Sequence, residues 1–180
     1  MKKIFYLLAI LISFSFIANA PAATSLSDED LRFLKFFQKH EMIPADTDMS
    51  NIPPDQLKKL IELFKIESGI DDIDFAEKPD ERFSSPEKTW ELYRSAFLAG
   101  DIELSNRCLM PKFREKHDVI RKAIGDNKMK RRIEEMRPIE RIYQRDGGAK
   151  YRIKRKIGDN DITFYIYFVD VFGKWRIDQY

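Results

Sequence analysis

In 180 residues the chain carries 32 Lys and Arg against 30 Asp and Glu, with two His and a single Cys. One cysteine excludes an internal disulfide and a Cys-x-x-Cys pair, and no Gly-rich phosphate loop or Ser-His-Asp order is present. The charge is unevenly placed. Residues 24–78 hold 7 basic and 13 acidic side chains, net −6, whereas residues 79–180 hold 23 and 17, net +6. Such asymmetry points to an acidic partner or an internal one.

The first 22 residues read as a secretory signal. Lys2 and Lys3 form its charged start, Ile4 to Ile17 its apolar core, and Ala20-Pro21-Ala22 a small-x-small site that places cleavage before Ala23. The apolar core is about 14 residues against the ~20 that a membrane span needs. The expectation is therefore export to the periplasm or the medium, with no stable membrane span after cleavage. About 158 residues remain, enough for one compact domain.

Residues 23–84 are predicted to form a helical extension and linker. Ser27 caps a first helix, with Asp28, Glu29 and Asp30 in its first turn and Leu31, Leu34 and Phe37 on one face, widened by Phe33 and Phe36. Pro53-Pro54-Asp55 opens a second, where Leu57, Leu60, Ile61 and Phe64 recur at helical spacing. Residues 68–84 read as linker. Ser85 then caps a helix with Pro86 at its first position and Gly100 at its end. Trp90, Tyr93 and Phe97 form its stripe. A short helix from Asp101 to Leu109 follows, then one marked by Phe113, Val119, Ile120 and Ile124, and a very basic one by Met129, Ile133 and Met136. Cys108 falls on an apolar stripe and is expected to be buried; His117 is expected at the surface.

Four strand-like runs close the chain: Pro138–Asp146, Ala149–Ile157, Asp161–Val171 and Lys174–Tyr180. Gly147-Gly148 signals a two-residue hairpin turn that pairs Glu140 with Arg155. A turn around Asp159-Asn160 pairs Tyr151 with Phe168, and one at Phe172-Gly173 pairs Asp170 with Trp175 and Ile166 with Gln179. Side-chain alternation then predicts an apolar face with Ile142, Tyr151, Ile153, Ile157, Ile162, Phe164, Ile166, Phe168, Trp175 and Ile177. The other face collects Arg141, Tyr143, Arg152, Lys154, Tyr165, Tyr167 and Tyr180, basic and tyrosine-rich. The fold class is α+β: helices packed on a curved antiparallel meander, preceded by a two-helix extension.

Ser85-Pro86-Glu87-Lys88-Thr89-Trp90, Ala99-Gly100-Asp101, Pro111-Lys112-Phe113-Arg114 and the closing Gly173-Lys174-Trp175-Arg176-Ile177 resemble segments of the nuclear-transport-factor-2-like superfamily. This cone-shaped, cystatin-like α+β fold is shared with ketosteroid isomerases and scytalone dehydratases, and the secreted bacterial members of unknown function look most similar. The resemblance covers residues 85–180. It implies a concave sheet with a pocket beneath the helices, and a possible homodimer through the sheet. No catalytic residue transfers, because the isomerase-type constellation finds no matching positions.

Two surfaces are candidates. A pocket would be lined by Trp90, Tyr93 and Trp175, with Glu140, Arg155 and Asp170 as the ionisable groups on the apolar face; the alternative makes Glu140–Arg155 a rim pair and Asp170 a strand-end residue. The basic face offers Tyr143, Arg152, Lys154, Tyr165 and Tyr167 to an acidic envelope partner, an anionic glycan or a lipid headgroup; the alternatives are a solvated face, a dimer interface or cover by the N-terminal helices. Nucleic acid does not suit an exported protein. Asp46-x-Asp48-x-Ser50-Asn51 resembles the start of a calcium loop, but Leu57 stands where a bidentate Glu is needed, so no metal and no cofactor are assigned. The expected function is an exported, non-enzymatic domain binding a small apolar ligand or an envelope partner. The alternatives are a pocket isomerase, dehydratase or hydrolase, or an interaction module acting through the basic face. N-terminal sequencing of the exported protein should begin Ala23-Thr24-Ser25; a product retaining Met1 contradicts the cleavage site.

Overall fold

A computed structural model describes residues 26–44, 52–136 and 138–180. The leader-like residues 1–22 and the calcium-loop-like residues 46–51 lie outside them. The chain divides into two compact units, with the boundary between Glu77 and Lys78. No helix among the described residues is long and apolar enough to cross a membrane.

The first unit contains α1 (Asp28–Lys39), α2 (Pro54–Ser68) and α3 (Ile73–Glu77). Ser27 and Asp30 form a reciprocal capping box that satisfies two of the otherwise orphaned N–H groups of α1. Phe33, Leu34, Phe36 and Phe37 are buried, and Phe33, Phe36 and Phe37 meet Phe64 of α2 with ring centroids 5.1–6.0 Å apart. Leu31, expected on that face, stays 41% exposed. Lys65 bonds Glu29 at 3.0 Å, and Arg32 pairs with Asp74 of α3. The expected linker thus contains α3 and, in the second unit, a 3-10 turn at Glu81–Phe83 whose Phe83 is buried.

The second unit is a helical layer followed by a meander. Its helices are α4 (Pro86–Ala99), α5 (Ile102–Arg107), α6 (Pro111–Ile124) and α7 (Asp126–Glu134), and its strands β1 (Glu140–Arg145), β2 (Gly148–Ile157), β3 (Asn160–Val171) and β4 (Lys174–Gln179). The class is α+β, with helices preceding an open antiparallel sheet of order β1-β2-β3-β4. Ser85 caps α4 by accepting from the Lys88 N–H at 3.2 Å, and Gly100 ends it in the left-handed conformation. Trp90, Tyr93 and Phe97 are buried as their spacing requires. Cys108 is buried too, and burial pushes its thiol up to about 12. Residues 108–110 run along β4, where Ile177 donates to the Cys108 carbonyl and accepts from the Met110 N–H, both at 2.8 Å.

The register differs from the expectation in a regular way. The first hairpin turns at Asp146-Gly147, whose φ angles of +50° and +72° are those of a type I′ loop, so that Arg145 faces Gly148. Asp tolerates the left-handed region, so this pair competes successfully with Gly147-Gly148. The second hairpin turns at Gly158-Asp159, and Ile157 faces Asn160. Moving a two-residue loop back by one shifts every cross-strand partner by two. Tyr151 therefore faces Ile166 and Phe168 faces Ala149, while the division of side chains between the two faces survives. The third turn, Phe172-Gly173, lies where expected, with Asp170 opposite Trp175.

Two bulges break the alternation. In β1 the pairing jumps between Arg141 and Tyr143, which, added to the two-residue shift from the turn, sets Glu140 opposite Arg152 and not Arg155. In β4 it jumps opposite Tyr167 and Phe168, so Gln179 faces Tyr167 and not Ile166. A bulge inserts one residue and exchanges the faces beyond it. Glu140 thereby moves to the basic face, Arg141 leaves it, and Tyr180 turns from the basic face into the helix-covered interior. Towards the Gly158-Asp159 turn Ile157, Ile162 and Phe164 remain 37–41% exposed, and Ile142, on the edge strand β1 beside Tyr151, is 48% exposed; the buried part of this face carries Tyr151, Ile153, Ile166, Phe168 and Ile177.

The turns yield a stability prediction. Gly173 has φ +79° with nothing within 4 Å of an added Cβ, so Gly173→Ala costs only backbone strain, about 1–2 kcal/mol. Gly148 carries no such strain and would meet only ordinary contacts at 3.7 Å. Urea unfolding should therefore show Gly148→Ala within about 0.5 kcal/mol of the parent and Gly173→Ala clearly below it.

Candidate functional site

Two constellations stand out in the second unit, one inside and one outside. The interior one joins α4, α6 and the chain terminus. The Tyr93 hydroxyl lies 2.7 Å from Nε2 of His117 and 2.6 Å from the hydroxyl of Tyr180. Rings surround these polar atoms: Trp90 stacks on Tyr93 at 5.5 Å, Phe113 meets Tyr180 at 5.1 Å edge-on, and Phe97 and Phe113 stand 5.6 and 6.1 Å from His117. His117 is 2% exposed, which corrects its expected surface position. It follows Phe113 by one helical turn, so α6 turns this pair inward, while Val119 is left 67% exposed.

Burial governs the charge state of this cluster. It lowers the His117 imidazole to about 4; Arg121 adds to the effect and Asp118 opposes it. Burial also holds Tyr93 well above the ordinary phenol value, helped by Tyr180, and raises Tyr180 although the bond with Tyr93 acts in the other direction. The cluster is therefore neutral near pH 7. One hydroxyl proton serves two contacts of Tyr93, so the three groups form a single relay. If Nε2 carries the imidazole proton, His117 donates to Tyr93, Tyr93 donates to Tyr180, and Nδ1 keeps a bare lone pair. That arrangement strands no N–H at Nδ1, which has no hydrogen-bond partner among the described residues.

The six pocket candidates are not brought together. Trp90 and Tyr93 are wholly buried in the ring cluster, and Trp175 is buried where its carbonyl accepts from the Thr89 hydroxyl at 2.9 Å. Glu140 and Arg155 do not pair. Glu140 accepts from Arg152 Nε at 2.5 Å on the outer face, whereas Arg155 reaches Glu135 at the end of α7, with Nε–Oε2 at 2.8 Å. The shifted first turn parts the two residues, and the bulge in β1 carries Glu140 to the outer face. Asp170 stands at the β3–β4 turn, its N–H bonded to the Gly147 carbonyl at 2.8 Å. On the helix side of the sheet a further pair appears that the register did not announce: the Tyr151 hydroxyl donates to Glu87 at 2.6 Å. Burial followed by this bond raises Tyr151.

The outer constellation is the tyrosine-rich face. Cross-strand pairing sets Tyr143, Lys150 and Tyr167 in one row and Glu140, Arg152 and Tyr165 in the next. The Lys150 ammonium lies 4.1 Å from the centroid of Tyr165 and 5.2 Å from that of Tyr167, and Arg145 lies 5.7 Å from Tyr143. Tyr167 and its neighbouring phenols raise Lys150 above its ordinary value, keeping it charged. Tyr143 and Tyr165 remain 43% and 49% exposed. Lys154 and Lys156 continue the face opposite Thr163 and Asp161. Of the five basic-face candidates, four lie in the two rows and Lys154 in the next. No group of three or more His, Cys, Asp or Glu among the described residues could hold a metal ion. No protein family, no curated protein and no solved structure matches the chain.

The buried relay makes stability depend on pH. An unfolded His117 protonates near 6.5 and the folded one only near 4, so between those values the unfolded chain binds the extra proton. Stability is complete above about pH 6.5 and falls as pH drops towards 4, by roughly 3 kcal/mol for this group. Denaturant midpoints measured from pH 7 to pH 4 should show this slope, and His117→Gln should flatten it. Tyr93→Phe removes the shared hydroxyl and should cost about 1–3 kcal/mol at pH 7.

Proposed function

We propose that this chain is an exported, non-enzymatic interaction module that recognises an acidic partner through the outer face of its sheet. The observation that carries the reading is the row of exposed Tyr143 with half-buried Lys150 and Tyr167, and exposed Tyr165 and Arg152 beside it. Aromatic rings hold the ammonium and give rigid contact area, while Lys154 and Lys156 extend the positive field along the same strand. Such a surface gathers carboxylates, sulfates or phosphates by field and fixes them by close contact. Export rests on the leader-like residues 1–22. Membership of the nuclear-transport-factor-2-like superfamily rests on the segments quoted above and belongs to the same proposal; the order of helices followed by a meander agrees with it.

A second reading, a ligand-holding or catalytic interior, is favoured by one observation. Trp90 Nε1 and His117 Nδ1 are buried without a hydrogen-bond partner among the described residues, which a polar ligand could supply. It is the weaker reading because the Tyr93 and Tyr180 hydroxyls and Nε2 of His117 bond to one another and the surrounding rings are in mutual contact.

Immobilised poly-L-glutamate provides the test. The protein should bind it at low salt and release it as ionic strength rises. Lys154→Glu/Lys156→Glu should weaken binding by about tenfold or more, while His117→Gln leaves it unchanged. Binding that ignores both salt and the lysine reversals contradicts the proposal.

A further inference from the structure

One acid stands among the aligned cations of the outer face. In the two rows that cross β1, β2 and β3, Tyr143–Lys150–Tyr167 and Glu140–Arg152–Tyr165, Glu140 is the single carboxylate. The bulge places it there: without the extra residue in β1 it would face Ile153, on the helix side. Arg152 donates to it from Nε at 2.5 Å, and Nη2 meets the same oxygen, Oε2. Both side chains are half exposed, at 50% and 49%. Two rings, by contrast, hold the neighbouring Lys150.

Such an ion pair contributes little to folding, because water screens it and two long side chains must be ordered to form it. An Arg–carboxylate pair is strongest when two oxygens meet two N–H groups in parallel. Here one oxygen takes both donors, so a carboxylate that presents both of its oxygens can replace Glu140. A single free carboxylate is at a disadvantage, since Glu140 is tethered beside Arg152 at an effective concentration of about millimolar or above. A chain of several acids escapes that disadvantage. Lys150 and Lys154 flank Arg152 two residues away on the same face of β2, each roughly 7 Å from it along the strand, and can hold the neighbours of the displacing group.

We infer that Glu140 is a built-in competitor for Arg152, so that the outer face accepts a chain of several carboxylates, which displaces it, and rejects single ones. The inference rests on the reading that this face meets an acidic partner, and it names the contact that selects among acids.

Titration of the exported protein with poly-L-glutamate at low salt, with circular dichroism to confirm folding, tests it through a cycle of Glu140→Gln and Arg152→Gln. Glu140→Gln should bind the polymer about fivefold more tightly than the parent. Loss of a negative charge favours a polyanion through the general field in any background, so the same substitution is repeated in the Arg152→Gln variant. There the gain should shrink to about twofold or less, because no guanidinium is released. Monomeric glutamate, at a carboxylate concentration equal to that of the polymer, should displace no polymer from the parent. Equal gains in the two backgrounds, no gain on Glu140→Gln, or displacement by the monomer each overturn the inference and leave the outer-face reading standing. Failure of the parent and Glu140→Gln alike to bind the polymer overturns both.

Discussion

The hydroxyl of Tyr93 is the point on which the second unit turns. It bonds at once to an imidazole on α6 and to the last residue of the chain, tying together the first helix of the unit, a later helix and the end of the sheet. Each partner is costly to bury alone, and each is neutral because burial itself disfavours its charge. The contact exists only because a bulge near Asp178 rotates Tyr180 inward. Without that single inserted residue Tyr180 would stand among the lysines of the outer face, and Tyr93 would lose one of its two partners.

Closing the interior in this way moves the accessible chemistry outward. The rings of Trp90, Tyr93, Phe97, Phe113 and Tyr180 are in mutual contact around the relay. The outer face keeps its tyrosines half exposed and its cations above them. A row of phenol, cation and phenol beside one of carboxylate, cation and phenol, held by the β1–β2–β3 pairing, forms a surface whose geometry is set by the backbone. Those held side chains lose less entropy on binding than freely rotating lysines would.

Helix starts and ends were legible because each cap has a local chemical cause. Ser27, Ser85, Pro86 and Gly100 satisfy or permit specific backbone groups, and all serve as expected. The four strands and the faces of β2 and β3 were legible through alternation. Registers were off by two because Asp146-Gly147 and Gly147-Gly148 both suit a tight turn, and period-two patterns cannot distinguish them. The bulges were not legible, since an extra residue in a strand leaves no mark in composition. They account for Glu140, Arg141 and Tyr180. His117 was legible in principle: it follows Phe113 by four residues in a helix, but its polarity outweighed its spacing.

The central claim is that the outer face, and not the interior, meets the partner. Amide and indole N–H resonances followed during titration with poly-L-glutamate test it most directly. The account predicts shifts grouped on Tyr143, Lys150, Arg152, Lys154, Tyr165 and Tyr167, with the indole signals of Trp90 and Trp175 unmoved. Shifts centred on those two indoles, with the β2 and β3 amides silent, would contradict it.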